Sequence, residues 1–259
     1  MPTAADDKYS RGVLGMRTGS ASYPGAAVLG VEAAWRTGVG MVRYLGPDRA
    51  ADHVLQRRPE TVTAPGRVQA WVIGSGTDAA SRSGEETSIL RGLLAGDVPV
   101  VADAGALDLV LGATAVLVVT PHEGEHRRLR DALGLGEAGD RESGAVETAA
   151  ALGACVVLKG SATVVAAPDG WRVTLPAASP WLATAGTGDV LAGVIGALVA
   201  SAAARGTVDH GRLARLAATG SWLHARAAER AVSVADGGPI TALDLAAQLP
   251  AVVGAQLSG

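Results

Sequence analysis

Along the chain, short and continuously apolar runs alternate with longer segments in which apolar residues return every three to four positions. Runs such as "VPVVAD" (98–103) and "AVLVVT" (115–120) lack polar alternation, as strands covered on both faces do. The pattern predicts strands near 12–18, 39–45, 68–73, 98–102, 115–119, 154–158, 162–167 and 171–175. It predicts helices near 24–37, 48–56, 84–95, 105–111, 123–133, 144–152, 188–204, 208–231 and 241–248. Strands followed by helices imply an α/β fold with a mainly parallel central sheet and helices on both faces, a three-layer α/β/α sandwich. The stretch 162–175 departs from this rhythm: around Pro168-Asp169-Gly170 it reads as a hairpin. No linker or internal repeat divides residues 1–259, and one domain is expected; the most loop-like stretch is "GLGEAGDRESGA" (134–145).

Composition sharpens the picture. Hydrophobic residues make up 48% and charged residues 18% of 259 residues, enough for a sizeable core. With 3% aromatics and no Phe, that core must be built from Ala, Val and Leu. The net charge is −3, and no basic stripe with interleaved aromatics occurs, which disfavours nucleic-acid binding. The apolar run from Val190 to Ala204 is shorter than the roughly 20 residues a bilayer requires and is bounded by Asp189 and Arg205, so a buried helix is expected, with no membrane partner. Cys155, the single cysteine, allows no intrachain disulfide and reads as a small apolar strand residue. The polar "MPTAADDKYSRG" start does not read as a signal peptide, and a cytoplasmic location is expected.

In open α/β sheets ligands bind beyond the carboxyl ends of the strands. "GSGTD" (74–78), "DAGAL" (103–107), "TPHEGE" (120–125) and "KGSAT" (159–163) all follow expected strands, and a parallel sheet would gather them at one edge. Neither a dinucleotide Gly-x-Gly-x-x-Gly after the first strand nor a P-loop is present. His122-Glu-Gly-Glu-His126 matches a zinc-protease string by accident, since Pro121 and Gly124 place His122 at a strand-to-helix turn and not inside a helix. Asp103 could cap the helix after it, or hold a metal-bound water or a substrate hydroxyl. Lys159, with Gly160, Ser161, Ala162 and Thr163 after it, is either a solvated strand tip or a phosphate or ribose contact.

"ATAGTGDVLAG" (183–193) is the most specific element. Gly186 and Gly188 permit close backbone approach, and a helix start supplies free N–H groups and partial positive charge, a combination that binds anions. A carboxylate beside a phosphate is repelled by it, so Asp189 makes sense as a base that takes a proton from a hydroxyl attacking that phosphate.

Taken together, these residues resemble the ribokinase-like superfamily and, within it, the ADP-dependent NAD(P)H-hydrate dehydratases. The resemblance runs through "KYSRG" (8–12), "GSASYPGAAVLGVEAAWRTGVGMVRY" (19–44), "VIGSGTD" (72–78), "VVADAGALDL" (100–109), "VTPHEGE" (119–125), "VLKGSATVVAAPDG" (157–170) and "LATAGTGDVLAGVIGAL" (182–198). Two departures stand out: Gly74-Ser75-Gly76 replaces a longer glycine-rich turn, and Ser179-Pro180-Trp181-Leu182-Ala183 replaces an Asn-x-Gly-Met-Ala stretch. The resemblance implies that Lys159 to Thr163 and Gly186, Thr187 and Gly188 contact the nucleotide, and that Ala26, Gly76, Asp103 and His122 line the substrate site beside Asp189. It implies a carbon–oxygen lyase that repairs the S-epimer of hydrated NADH or NADPH, with ADP, or ATP, as co-substrate and Mg2+ as companion ion, and with no metal-ligating side chain assigned. It also implies a homo-oligomer such as a tetramer, and a separate epimerase or a bifunctional parent, since no fused epimerase domain is seen. The competing reading is a vitamin-precursor kinase of the same fold, which would release the phosphorylated alcohol; a nucleotide sensor without turnover is a third.

Overall fold

The computed structural model describes residues 2–257. Eight strands form one sheet in the order β2-β1-β3-β4-β5-β6-β7-β8: β1 (Val13–Arg17), β2 (Met41–Tyr44), β3 (Ala70–Ile73), β4 (Val100–Ala102), β5 (Leu117–Val119), β6 (Cys155–Leu158), β7 (Val164–Ala166) and β8 (Arg172–Thr174). The first six are parallel, with Leu14 opposite Ala70 and Val101 opposite Val118. β7 and β8 run antiparallel as the expected hairpin. Successive strand residues point to opposite faces, and the core divides accordingly. Leu14, Val72, Val101, Val118 and Val157 face one side with α1 (Pro24–Thr37), α2 (Asp48–Arg57), α6 (Thr187–Ala203) and α7 (His210–Val234). Ile73, Val100, Leu117, Val156 and Leu158 face the other with α3 (Gly84–Leu94), α4 (Glu123–Ala132) and α5 (Arg141–Leu152). α8 (Ala242–Leu257) packs outside α1, α6 and α7. This is the expected three-layer α/β/α sandwich.

Local chemistry sets the helix boundaries. Pro24 opens α1, where its missing N–H costs nothing, and Gly38 closes it in the left-handed conformation. Ser83, Asp140 and Asp209 cap α3, α5 and α7 with their side chains. α6 is apolar almost all round because it lies between the sheet, α1 and α7. It approaches α1 so closely that a Cβ on Gly193 would run into the Gly30 carbonyl.

Three expectations shift, and one element is additional. The segment expected as a helix over 105–111 is a 3-10 helix, Ala104–Leu109. The helix expected from 144 begins at Arg141, because the Asp140–Ser143 capping box forms inside the loop-like stretch. The last helix continues through Pro250 to Leu257, past the expected end at 248. A 3-10 turn, Pro180–Leu182, precedes the key loop. Among the described residues no helix is long and apolar enough to cross a membrane. Cys155 lies in β6, where burial pushes its thiol up to about 12.

Candidate active site

The parallel sheet brings the loops after β1, β3, β4, β5 and β6 to one edge. The Gly19 N–H donates to the Ser75 carbonyl (2.7 Å) and the Lys159 N–H to the Pro121 carbonyl (2.8 Å), tying neighbouring loops together. At their centre lies the Asp103 carboxylate, only 3% exposed. It accepts from Ser75 Oγ (2.9 Å), Thr120 Oγ1 (2.7 Å) and Lys159 Nζ (2.7 Å). Asp103 therefore does not cap the 3-10 helix after it. Its carboxylate, expected at the substrate site, is engaged by these three donors. Lys159 Nζ also lies 3.9 Å from Glu125 Oε2. Burial works against the Lys159 charge, but Asp103 and then Glu125 outweigh it and hold the ammonium above its ordinary range.

The same ammonium stands over the first turn of α6, 3.6 Å from where a Cβ on Gly188 would lie. Gly186 precedes that turn with φ 90°, a conformation that favours glycine, against Leu29 and Ala242. Thr187 spends its hydroxyl on the Leu182 and Thr184 carbonyls (both 2.9 Å) and its N–H on Thr184 (3.4 Å). Among the described residues, the N–H groups of Gly186, Gly188 and Asp189 have no protein acceptor. Free donors at a helix start under a lysine form an anion site.

Asp189, half-buried on that turn, accepts no hydrogen bond among the described residues. Burial first, and then the neighbouring Asp103, push its carboxyl up to about 7 against the opposing pull of Lys159. A carboxylate with that proton affinity is suited to general base work near neutrality.

Beside the turn lies a cavity of about 570 Å³ lined by Lys159, Gly160, Ser161, Thr163, Thr187, Gly188 and His224, among others. Its size suits a nucleotide. Ala162, expected with them, faces the opposite side, where a more open groove of about 1000 Å³ runs past Arg141 and Arg172. That groove is larger but contains none of Asp103, Lys159 or Asp189. Arg141 braces the Lys159 loop from there, donating to the Leu158, Lys159 and Ala162 carbonyls. His224, from α7, was missed in the sequence because nothing local distinguishes it. Its Nε2 donates to the Thr187 carbonyl (2.9 Å), and burial pushes it down to about 4, so it stays neutral.

On the far side, Gly76 and Ala26 are in direct contact, since a Cβ on Gly76 would overlap the Ala26 Cβ. This brings the start of α1 against the loop after β3. His122 caps α4: its Nδ1 accepts from the Gly124 and Glu125 N–H groups (3.0 and 3.3 Å), and its side chain is 57% exposed. His126 is buried against Thr148 (2.9 Å), so the two histidines do not converge as in a zinc site. Among the described residues no three His, Cys, Asp or Glu side chains gather as a metal ligand set. Trp181 is outside the cavity lining, exposed, and donates to the Gly237 carbonyl (3.2 Å).

Proteins that move a phosphoryl group from a nucleotide to a small hydroxyl compound need this pairing of anion-binding helix start and nearby base. The comparisons narrow the class: the chain belongs to the NAD(P)H-hydrate dehydratase family, whose model matches residues 14–250. It is 46% identical over 215 residues to the bifunctional NAD(P)H-hydrate repair enzyme Nnr of Mycobacterium tuberculosis, covering 78% of this chain and 43% of that protein. The chain thus spans less than half the length of that relative. It is 33% identical over 241 residues to the ADP-dependent (S)-NAD(P)H-hydrate dehydratase of Neisseria meningitidis, covering 86% of this chain and 78% of the other. The crystal structure of the ADP/ATP-dependent NAD(P)H-hydrate dehydratase of Bacillus subtilis, co-crystallized with ATP/Mg2+, superposes with a TM-score of 0.83 at 26% identity, covering 98% and 93% of the two chains. A ribokinase-like superfamily protein from Enterococcus faecalis shares the fold, with a TM-score of 0.83 at 21% identity over 98% and 91% of the chains.

Proposed function

We propose that this chain dehydrates the S-epimer of hydrated NADH or NADPH at the expense of ADP or ATP, restoring the dihydronicotinamide. The observation that carries this reading is the unpaired Asp189 carboxylate, held near neutrality beside the free N–H groups of α6 and the Lys159 ammonium.

Asp189 takes the proton from the C6 hydroxyl of the hydrate. The hydroxyl oxygen bonds to the terminal phosphorus of ADP, and the bond from that phosphorus to the bridging oxygen breaks, releasing AMP. The Gly188 and Asp189 N–H groups and Lys159 stabilise the charge that develops on the transferred phosphoryl oxygens. The ring nitrogen then pushes out phosphate from C6, and loss of a C5 proton restores the C5–C6 double bond. Phosphorylation makes a poor leaving group into a good one, which is why a dehydratase uses a phosphoryl-transfer site.

The cavity beside Lys159 and His224 takes the nucleotide, and the Ala26–Gly76 side takes the hydrated ring. A Mg2+ ion arriving with the nucleotide would supply positive charge to offset that of the phosphates. The residues on both sides of the reaction lie within this chain, in one domain; a partner epimerase, a homo-oligomeric assembly and a cytoplasmic location accompany the reading.

The test is recovery of dihydronicotinamide absorbance from hydrated NADH on adding ADP or ATP, by wild-type protein and by Asp189→Asn. A stable phosphorylated hydrate without recovery would instead mark a kinase.

A further inference from the structure

The mechanism uses Asp189 and Lys159 and leaves the most buried acid of the site, Asp103, without a task. Its surroundings are specific. Three side chains from the ends of three different strands converge on it: Ser75 after β3, Thr120 after β5 and Lys159 after β6. Ser75 and Thr120 are themselves buried, so they hold the carboxylate in place and do not present it to solvent. Lys159 is the one partner that reaches outward, with its Nζ over Gly188.

We propose that Asp103 is a positioning residue for phosphoryl transfer: it fixes the Lys159 ammonium over the first turn of α6, where the terminal phosphate of the nucleotide and Asp189 meet. This rests on the reading of Asp189 as base. A free lysine side chain samples many rotamers, and anchoring one removes that freedom before the nucleotide arrives. The anchor is ionic and buried, so it also keeps the lysine charged where burial alone would discharge it.

The pair acts on Asp189 as well. Asp103 raises its proton affinity and Lys159 lowers it. Other elements around the turn contribute little charge. α1 packs Leu29 and Gly30 there, α7 presents the neutral His224, and on α4 Glu125 acts through Lys159 while His122 is turned to its own helix start. The two members of the pair should therefore move the Asp189 titration in opposite directions.

The experiment follows the Asp189 carboxyl by NMR titration of the intact protein without substrate, alongside the pH dependence of turnover and the KM for ADP. Asp103→Asn should move the titration down by about one unit, and Lys159→Gln should move it up by a similar amount. The double variant should return near the wild-type position while turnover stays low. Asp103→Asn should also raise the KM for ADP about tenfold or more, although its side chain does not reach the nucleotide. Should Asp103→Asn fail to fold, Lys159→Gln, on a partly exposed side chain, still reads the sign. Titrations unmoved or moved the same way, or an unchanged KM for ADP in Asp103→Asn, would overturn the positioning role. Loss of the base reading shows differently, as undiminished turnover in Asp189→Asn with the opposite titration shifts still present.

Discussion

Replacing Asp189 by Asn should make the unliganded protein more stable, and the gain should depend on pH in one direction. In the folded chain the carboxyl is pushed up from 3.8 to about 7 by burial and by Asp103. Its charged form is therefore disfavoured by folding. With the folded value above the unfolded one, the native state binds the proton more tightly. Its stabilising contribution is present below pH 3.8 and is lost as pH rises through 7. A shift of about three units at 1.36 kcal/mol each sets a ceiling of about 4 kcal/mol. Partial exposure of Asp189 lets water screen the charge, which reduces the figure to about 2 kcal/mol. Asn keeps the shape and removes the ionisation. At pH 8 Asp189→Asn should thus unfold about 4 to 8 °C higher than wild type, and at pH 4 at nearly the same temperature. Thermal unfolding by circular dichroism over pH 4 to 8 measures this without any substrate. Equal melting temperatures at pH 8, or a gain largest at pH 4, would refute the claim that the site holds Asp189 against its own ionisation. The same variant should bind ADP at least as tightly as wild type, because a negative charge beside the phosphates is gone.

Three further outcomes follow from other parts of the chain. Glu32, buried among Arg36, Arg57 and Arg58, is held down to about 2 despite its burial, so its stabilisation is present above pH 4.5 and is lost as pH falls through 2. Glu32→Gln should cost about 3 kcal/mol at neutral pH in urea unfolding and flatten the acid side of the stability profile. Gly193→Ala places a methyl against the Gly30 carbonyl and should cost about 1–3 kcal/mol by overpacking. Because it also shifts the turn that carries Asp189, kcat should fall more than ADP affinity does, which steady-state kinetics and calorimetry would separate. His224, neutral and bonded to the Thr187 carbonyl, should show no imidazole titration between pH 5.5 and 8 by NMR; a titration inside that window would contradict its burial.

Much of this architecture was legible in the sequence because its signals are local. Unbroken Val-rich runs marked the buried parallel strands, and Pro168-Asp169-Gly170 marked the hairpin of β7 and β8. The glycines and acid of 186–189 announced a helix start, and the structure begins α6 there with the Gly188 and Asp189 N–H groups free of protein acceptors. Spatial neighbours were not legible. Nothing near Asp103 in the sequence shows that Ser75, Thr120 and Lys159 will close around it, since those contacts join residues 17 to 56 positions apart. His224 lies 37 positions from Thr187, likewise beyond any helix or strand period. Ala162 shares its segment with cavity-lining residues yet faces Arg141, a consequence of how the loop turns that residue type does not reveal. α8 runs past the end expected at 248 and holds Pro250 in its interior, a position where proline ordinarily breaks a helix.

The most direct test of the account is turnover of hydrated NADH with ADP by wild type and by Asp189→Asn, read as recovery of dihydronicotinamide absorbance with ADP binding measured in parallel. Wild type should restore the absorbance, and the variant should lose about a thousandfold or more in rate while still binding ADP. Recovery at the wild-type rate in Asp189→Asn, or a phosphorylated hydrate that accumulates with no recovery in wild type, would contradict it.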